Sequence, residues 1–196
     1  MAQKIRIIAG ALGGRLLEVP EAGTRPFADR VRQALFAILE PRLPAARVLD
    51  LCAGSGAAGL EALSRGAQHV HFVEISRRAT DVIRRNVASL GLAGQTEIQT
   101  SEVLASLRAL GARGATFDLI VADPPYDEVL LRSGVLELIA DHPSPLATSG
   151  LLVLSGRRVK GETTQVAPGG LRLVRGLTYG ETAIDLYEHE GAEELR

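Results

Sequence analysis

The chain has 196 residues, 46% hydrophobic and 23% charged, which is enough for a full core and too apolar for intrinsic disorder. A single cysteine excludes an intramolecular disulfide, and no stretch has the apolar run of a signal peptide or membrane span, so a cytoplasmic protein is expected. The net charge of −1 hides an asymmetry: residues 1–47 carry eight Lys/Arg against four Asp/Glu, a net +4 that suits a phosphate-bearing partner.

In chain order, residues 4–9 and 15–19 read as short strands around Gly10, Gly13 and Gly14, a β-hairpin. Next, Val31, Leu35, Ile38 and Leu39 fall on one helical stripe, which Pro41 ends. Pro41 and Pro44 mark a boundary. The expected organisation is an extension over 1–44, a main domain over 45–190 and an acidic tail over 191–196.

From Arg47 onward, apolar strands near 47–52, 69–74, 95–100, 117–122 and 150–155 alternate with helical stretches near 56–66, 76–90, 102–112 and 128–141. Two more strands, near 171–177 and 182–189, close the chain around Tyr179-Gly180. Such alternation predicts a mostly parallel sheet with helices on both faces.

The first strand of this region runs into VLDLCAGSGAAGLEALSRGA. Asp50 lies near its end, and Gly54, Ser55 and Gly56 form the turn into a helix. Gly59 falls where helix and sheet pack closely. GSGAAG fits the G-x-G-x-x-G pattern, a weak signal on its own. Glu74 ends the next strand, where a carboxylate can take both ribose hydroxyls of a nucleoside. The pair predicts nucleoside binding and leaves open whether a pyrophosphate or a methionine sits over the glycines. NAD and S-adenosylmethionine both fit.

The strand FDLIVA stops at Asp123-Pro124-Pro125-Tyr126, whose prolines cannot continue a sheet ladder. By strand register this stretch faces the same crevice as the glycine loop. A hydride-transfer enzyme has no evident use for a rigid carboxylate, carbonyl and ring there, whereas an amino-group methyltransferase does. The exocyclic amine of a base is a poor nucleophile because its lone pair is conjugated with the ring. Hydrogen bonds from its two hydrogens to the Asp123 carboxylate and the Pro124 carbonyl favour the pyramidal, nucleophilic form. Tyr126 can stack on the base, a contact worth about 1–3 kcal/mol on single-stranded nucleic-acid platforms. The residues alone do not separate guanine N2 from adenine N6 or cytosine N4, in RNA or DNA, and a non-catalytic binder is a further alternative. Cys52, beside the glycine loop rather than facing a base, reads as structural, and His69, His71, His142 and His189 lack metal-ligand spacing, so no metal is expected.

Taken together, IRIIAGALGGRLLEVPEAGTRPFADRVRQALFAIL, VLDLCAGSGAAGLEALSRGA, DPPY and the terminal YGETAIDLY resemble the RsmD family of small-subunit ribosomal RNA guanine-N2 methyltransferases. The resemblance implies an α/β, Rossmann-like class I methyltransferase fold with a seven-stranded, mostly parallel sheet, preceded by a β-hairpin and helix. It implies a monomer that uses S-adenosylmethionine to methylate guanine 966 of 16S rRNA, within the small ribosomal subunit. By the same resemblance, the cofactor site is Asp50, Gly54, Ser55, Gly56 and Glu74, with Ile75, Glu102 and Val103 around the adenine. Asp123, Pro124, Pro125 and Tyr126 hold the target base. Arg30 pairs with the methionine carboxylate of the cofactor, and Arg15, Arg25 and Arg32 face RNA. The chain departs from the family pattern at Phe27, Ala28 and Gln33, at Cys52, where an aromatic is common, and at Ser155, where an acid is common.

Overall fold

The computed structural model describes residues 4–20, 29–141, 143–158 and 168–191. It contains two compact units, Met1–Glu102 and Val103–Arg196.

The first unit opens with the expected hairpin. Strands β1 (Lys4–Arg6) and β2 (Leu16–Glu18) pair antiparallel, with Lys4 opposite Glu18 and Ile5 opposite Leu17. Helix α1 (Asp29–Leu39) buries Val31, Leu35, Phe36 and Leu39, and Pro41 lies in the short 3-10 turn Glu40–Arg42 that follows. Strands β3 (Arg47–Leu51), β4 (His69–Glu74) and β5 (Thr96–Thr100) alternate with α2 (Ala57–Ser64) and α3 (Arg77–Leu90). The strands run parallel in the order β5-β4-β3, with Arg47 opposite His69 and Val70 opposite Thr96. β3 and β4 are buried along most of their length, which explains why they read as continuous apolar runs rather than alternating ones. Ser76 caps α3 by accepting the Ala79 N–H, and Gly91 ends the helix in a left-handed conformation.

The second unit holds α4 (Val103–Ala112), β6 (Phe117–Ala122), α5 (Val129–Ala140), β7 (Leu146–Arg157), β8 (Leu171–Tyr179) and β9 (Thr182–His189). Its strands lie in the order β6-β7-β9-β8; β6 and β7 are parallel, and β9 is antiparallel to both its neighbours. β7 begins four residues earlier than the sequence suggests. Leu146 already pairs with Phe117, and the register shifts before the Leu119–Leu151 pair, so the strand starts ahead of Gly150, where the sequence reading began it. β3 to β9 are the strands of one seven-stranded, mostly parallel sheet, as expected. Among the described residues, no helix is long and apolar enough to cross a membrane.

Candidate active site

In the first unit, β3 ends at Leu51 and the chain turns through Cys52 to Gly56 before α2 begins. The turn is tight enough to need left-handed backbone at Cys52, Gly54 and Gly56 (φ 59°, 57° and 77°). For the two glycines this costs little; for Cys52 it is strain of about 1–3 kcal/mol that the surrounding contacts must hold. The Asp50 carboxylate, 3% exposed, accepts the Gly59 N–H at 2.9 Å and so ties the strand to the first turn of α2. Gly59 is required by packing: a Cβ there would lie 2.4 Å from the Phe72 ring and 2.6 Å from Val70.

Glu74 ends β4, the parallel neighbour of β3, and reaches across to the glycine turn. Its Oε2 accepts the Gly54 N–H and its Oε1 the Ser76 N–H, both at 2.8 Å. Each carboxylate oxygen has a further lone pair beyond the amide it holds. Ile75 follows with its apolar side chain 69% exposed. The unit therefore gathers Asp50, Gly54, Ser55, Gly56, Glu74 and Ile75 at the carboxyl ends of two adjacent strands. Glu102, exposed, lies just beyond β5. Val103 opens α4 in the second unit and is 5% exposed, which leaves little side-chain surface for an adenine.

The arginines of the extension separate. Arg15 and Arg30 are exposed, and Arg25 lies outside the described residues. Arg32 corrects the expectation that it faces RNA. It is 1% exposed, and its Nη2 donates to the Arg6 carbonyl at 2.5 Å and to Asp29 Oδ1 at 2.9 Å. The physical reason is helical spacing: Arg32 shares the buried face of α1 with Leu35, Phe36 and Leu39. Its guanidinium closes β1 onto that helix instead of meeting solvent.

In the second unit, β6 delivers Asp123, half-buried, to the sheet's carboxyl end. The Ser155 hydroxyl, fully buried on β7, donates to Asp123 Oδ1. Burial pushes the Asp123 carboxyl up to about 6, and the Ser155 hydrogen bond opposes the rise. Pro124 is buried and Pro125 exposed; the Pro125 carbonyl accepts the Glu128 N–H at 2.9 Å and closes the turn. Tyr126 is half-buried, and its hydroxyl shares a 2.5 Å hydrogen bond with that of Thr182 at the start of β9. The carboxylate is thus aimed from β7 and the ring is held by its tip from β9, strands paired in register with Ser155 opposite Ile184 and Arg157 opposite Thr182. Such a rigid acceptor beside a fixed aromatic ring can orient a planar donor group. Two polar residues of these networks carry no local sequence signal as site residues, Thr182 and Asn86, whose Nδ2 donates to the Ser55 carbonyl at 3.0 Å; Ser155 stood out only as a departure from the family pattern. Among the described residues, no group of three or more His, Cys, Asp and Glu side chains is placed to hold a metal ion.

The sheet order, the glycine turn braced by a strand-end acid and the carboxylate–diproline–tyrosine end of β6 define the class: a Rossmann-like class I methyltransferase. Residues 5–188 match the family model described as "Conserved hypothetical protein 95", and the chain belongs to that family, the RsmD family of rRNA methyltransferases. It is 35% identical over 192 residues to "Ribosomal RNA small subunit methyltransferase D" of Escherichia coli (strain K12), covering 97% of this chain and 93% of that one. The protein of the same description from Haemophilus influenzae is 30% identical over 188 residues, with 95% and 94% covered. Among solved structures, a hypothetical protein of Thermus thermophilus is similar with a TM-score of 0.77 at 34% identity, covering 94% of this chain and 99% of that one. SMU.776, crystallised with S-adenosylhomocysteine, shares the fold at 16% identity (TM-score 0.64; 90% of this chain and 52% of that one).

Proposed function

We propose that this chain transfers a methyl group from S-adenosylmethionine to the exocyclic N2 amine of a guanine in 16S rRNA, guanine 966 by family resemblance. The observation that carries the reading is the Asp123–Tyr126 end of β6, with its carboxylate aimed by Ser155 and its ring held by Thr182. The first unit supplies the cofactor seat. The Gly54–Gly56 turn lets the methionine portion approach the backbone, Glu74 takes the ribose hydroxyls, and Ile75 lies against the adenine. Asp50 serves this seat indirectly, by holding Gly59 and with it the start of α2.

The second unit supplies the base clamp. Asp123 and the Pro124 carbonyl accept the two N2 hydrogens, drawing the amine lone pair out of conjugation, while Tyr126 stacks on the purine. N2 then attacks the sulfonium methyl in line: the N–C bond forms as the S–C bond breaks, and neutral S-adenosylhomocysteine leaves. The proton shed by the methylated amine passes to the Asp123 carboxylate, whose value of about 6 lets it accept and release a proton near neutrality. The chain's contribution is position and electrostatics, with no covalent enzyme intermediate.

The guanine must leave its stack to enter the clamp, which costs a few kcal/mol unless the RNA presents it in a loop. Exposed cations of the extension, Lys4, Arg6 and Arg15, are the groups proposed to hold phosphates and offset that cost, while the exposed Arg30 is proposed to pair with the methionine carboxylate of the cofactor. The substrate is the small ribosomal subunit or its RNA, and the chain acts as a monomer. The test is Asp123→Ala. Methyl transfer should fall by about 10³-fold, on the scale of losing a principal electrostatic group, while calorimetric affinity for S-adenosylhomocysteine stays within about twofold. Undiminished turnover in this variant would remove the clamp from the mechanism.

A further inference from the structure

Asn86 lies on α3, 2% exposed, and its carboxamide serves two distant stretches of backbone. Oδ1 accepts the Glu18 N–H at 2.9 Å; Nδ2 donates to the Glu18 carbonyl and to the Ser55 carbonyl, each at 3.0 Å. Glu18 is the last residue of β2, and Ser55 is the middle residue of the glycine turn. A carboxamide is the side chain that suits this site, because it presents an acceptor to one amide and two donors to two carbonyls. A carboxylate would face both carbonyls without a donor, and an aliphatic side chain would leave one buried and two part-buried backbone groups without this partner.

The remainder of the hairpin is fastened to α2, the helix that the glycine turn opens. The Glu61 carboxylate, fully buried, accepts the Ile8 N–H at 2.6 Å and the Ala9 N–H at 3.1 Å. Ser64 Oγ donates to the Ala9 carbonyl at 2.5 Å and accepts the Leu12 N–H at 3.0 Å. The contact is close enough that a Cβ on Gly10 would lie 1.9 Å from the Ser64 carbonyl oxygen. Residues 7–18 therefore cannot shift without pulling on α2 or on the Ser55 carbonyl. Of these anchors, Asn86 is the one whose side chain reaches the turn itself.

We infer that Asn86 is a positioning residue that couples the N-terminal hairpin to the cofactor turn, so that ordering either one favours the bound geometry of the other. The inference rests on the reading of Gly54–Gly56 as the cofactor seat. Coupling of this kind is reciprocal: a hairpin ordered by RNA phosphates tightens the cofactor seat, and a filled seat stiffens the hairpin.

Amide hydrogen exchange of the wild-type chain, with and without S-adenosylhomocysteine, tests this directly. Bound S-adenosylhomocysteine should slow exchange across residues 15–19, including the Glu18 N–H, by several-fold. In Asn86→Ala the dissociation constant should rise about tenfold, the effect of one lost buried hydrogen-bond partner, and the ligand-dependent protection of the hairpin should vanish. Arg85→Ala, which removes the exposed 2.8 Å ion pair with Glu18, should change neither quantity. If Asn86→Ala does not fold, the wild-type exchange alone decides. Tight binding of S-adenosylhomocysteine with unchanged hairpin exchange would overturn the coupling and leave the seat intact. Failure of the wild type to bind it would instead remove the seat, and the inference with it.

Discussion

A carboxylate that accepts hydrogen bonds from an amine is useful only while ionised, so under the proposed role of Asp123 its environment would set the pH range of the reaction. Burial raises this carboxyl to about 6 and the Ser155 hydroxyl holds it down. The methylation rate should therefore fall about tenfold per unit as pH drops below about 6. Stability moves the other way. The folded value lies above the ordinary 3.8, so the folded chain binds this proton more tightly than the unfolded one. The ionised group works against folding above about pH 6, and that penalty is relieved as pH falls from about 6 towards 4. Rate profiles and thermal melts of wild type and Asp123→Asn would check both signs, because the variant should lose this part of the pH dependence of stability. Ser155→Ala, which removes the opposing hydrogen bond, should move the activity midpoint upward. A midpoint that stayed in place or moved downward would dissociate Ser155 from the clamp. Residues of this kind are hard to read in a sequence. Ser155 lies 32 residues from Asp123, Thr182 lies 56 from Tyr126, and Asn86 lies 68 from Glu18, so no local pattern joins them. Arg32 was misread: its charge pointed towards solvent, although its spacing puts it on one helical face with Leu35, Phe36 and Leu39.

At the scale of elements, apolar runs and turn residues carry most of the fold. β3, β4 and β6 are buried on both faces and read as continuous hydrophobic stretches, so their ends, and the acids Glu74 and Asp123 at or just beyond them, were legible. The left-handed Cys52 was not, because nothing in the identity of a cysteine announces φ > 0. Nor was the ion pair that joins α5 to β9. Arg132 Nη2 meets Asp185 Oδ2 at 2.5 Å, with the two side chains 13% and 7% exposed. Burial raises the Asp185 carboxyl and Arg132 opposes the rise. Arg132→Ala would leave a buried carboxylate without its cation, and it should lower unfolding stability by about 3–5 kcal/mol. Urea unfolding checks this: the midpoint should fall markedly with little change in slope. A loss under about 1 kcal/mol would show that the pair is solvated rather than buried.

For the whole molecule, the residues proposed as cofactor seat and base clamp fall in different units: the glycine turn and Glu74 belong to the first, and Asp123 to Tyr126 to the second. The net +4 of residues 1–47 belongs to the first unit and is the proposed source of RNA affinity. Affinity for rRNA should then fall steeply with salt, and Arg15→Ala should reduce the slope of log affinity against log salt by about 1. Fluorescence anisotropy at several salt concentrations measures both; an unchanged slope would take Arg15 off the phosphate surface. Family and fold were legible because four separated stretches occur together along the chain. The target base was not, since the same clamp geometry suits several exocyclic amines. The most direct measurement is therefore to incubate the protein with methyl-labelled S-adenosylmethionine and unmethylated small subunits, naked 16S rRNA or duplex DNA, and to digest the products to nucleosides. Label is expected in N2-methylguanosine from subunits or rRNA, mapped to guanine 966. Label on adenine or cytosine, or in DNA, would contradict the guanine assignment.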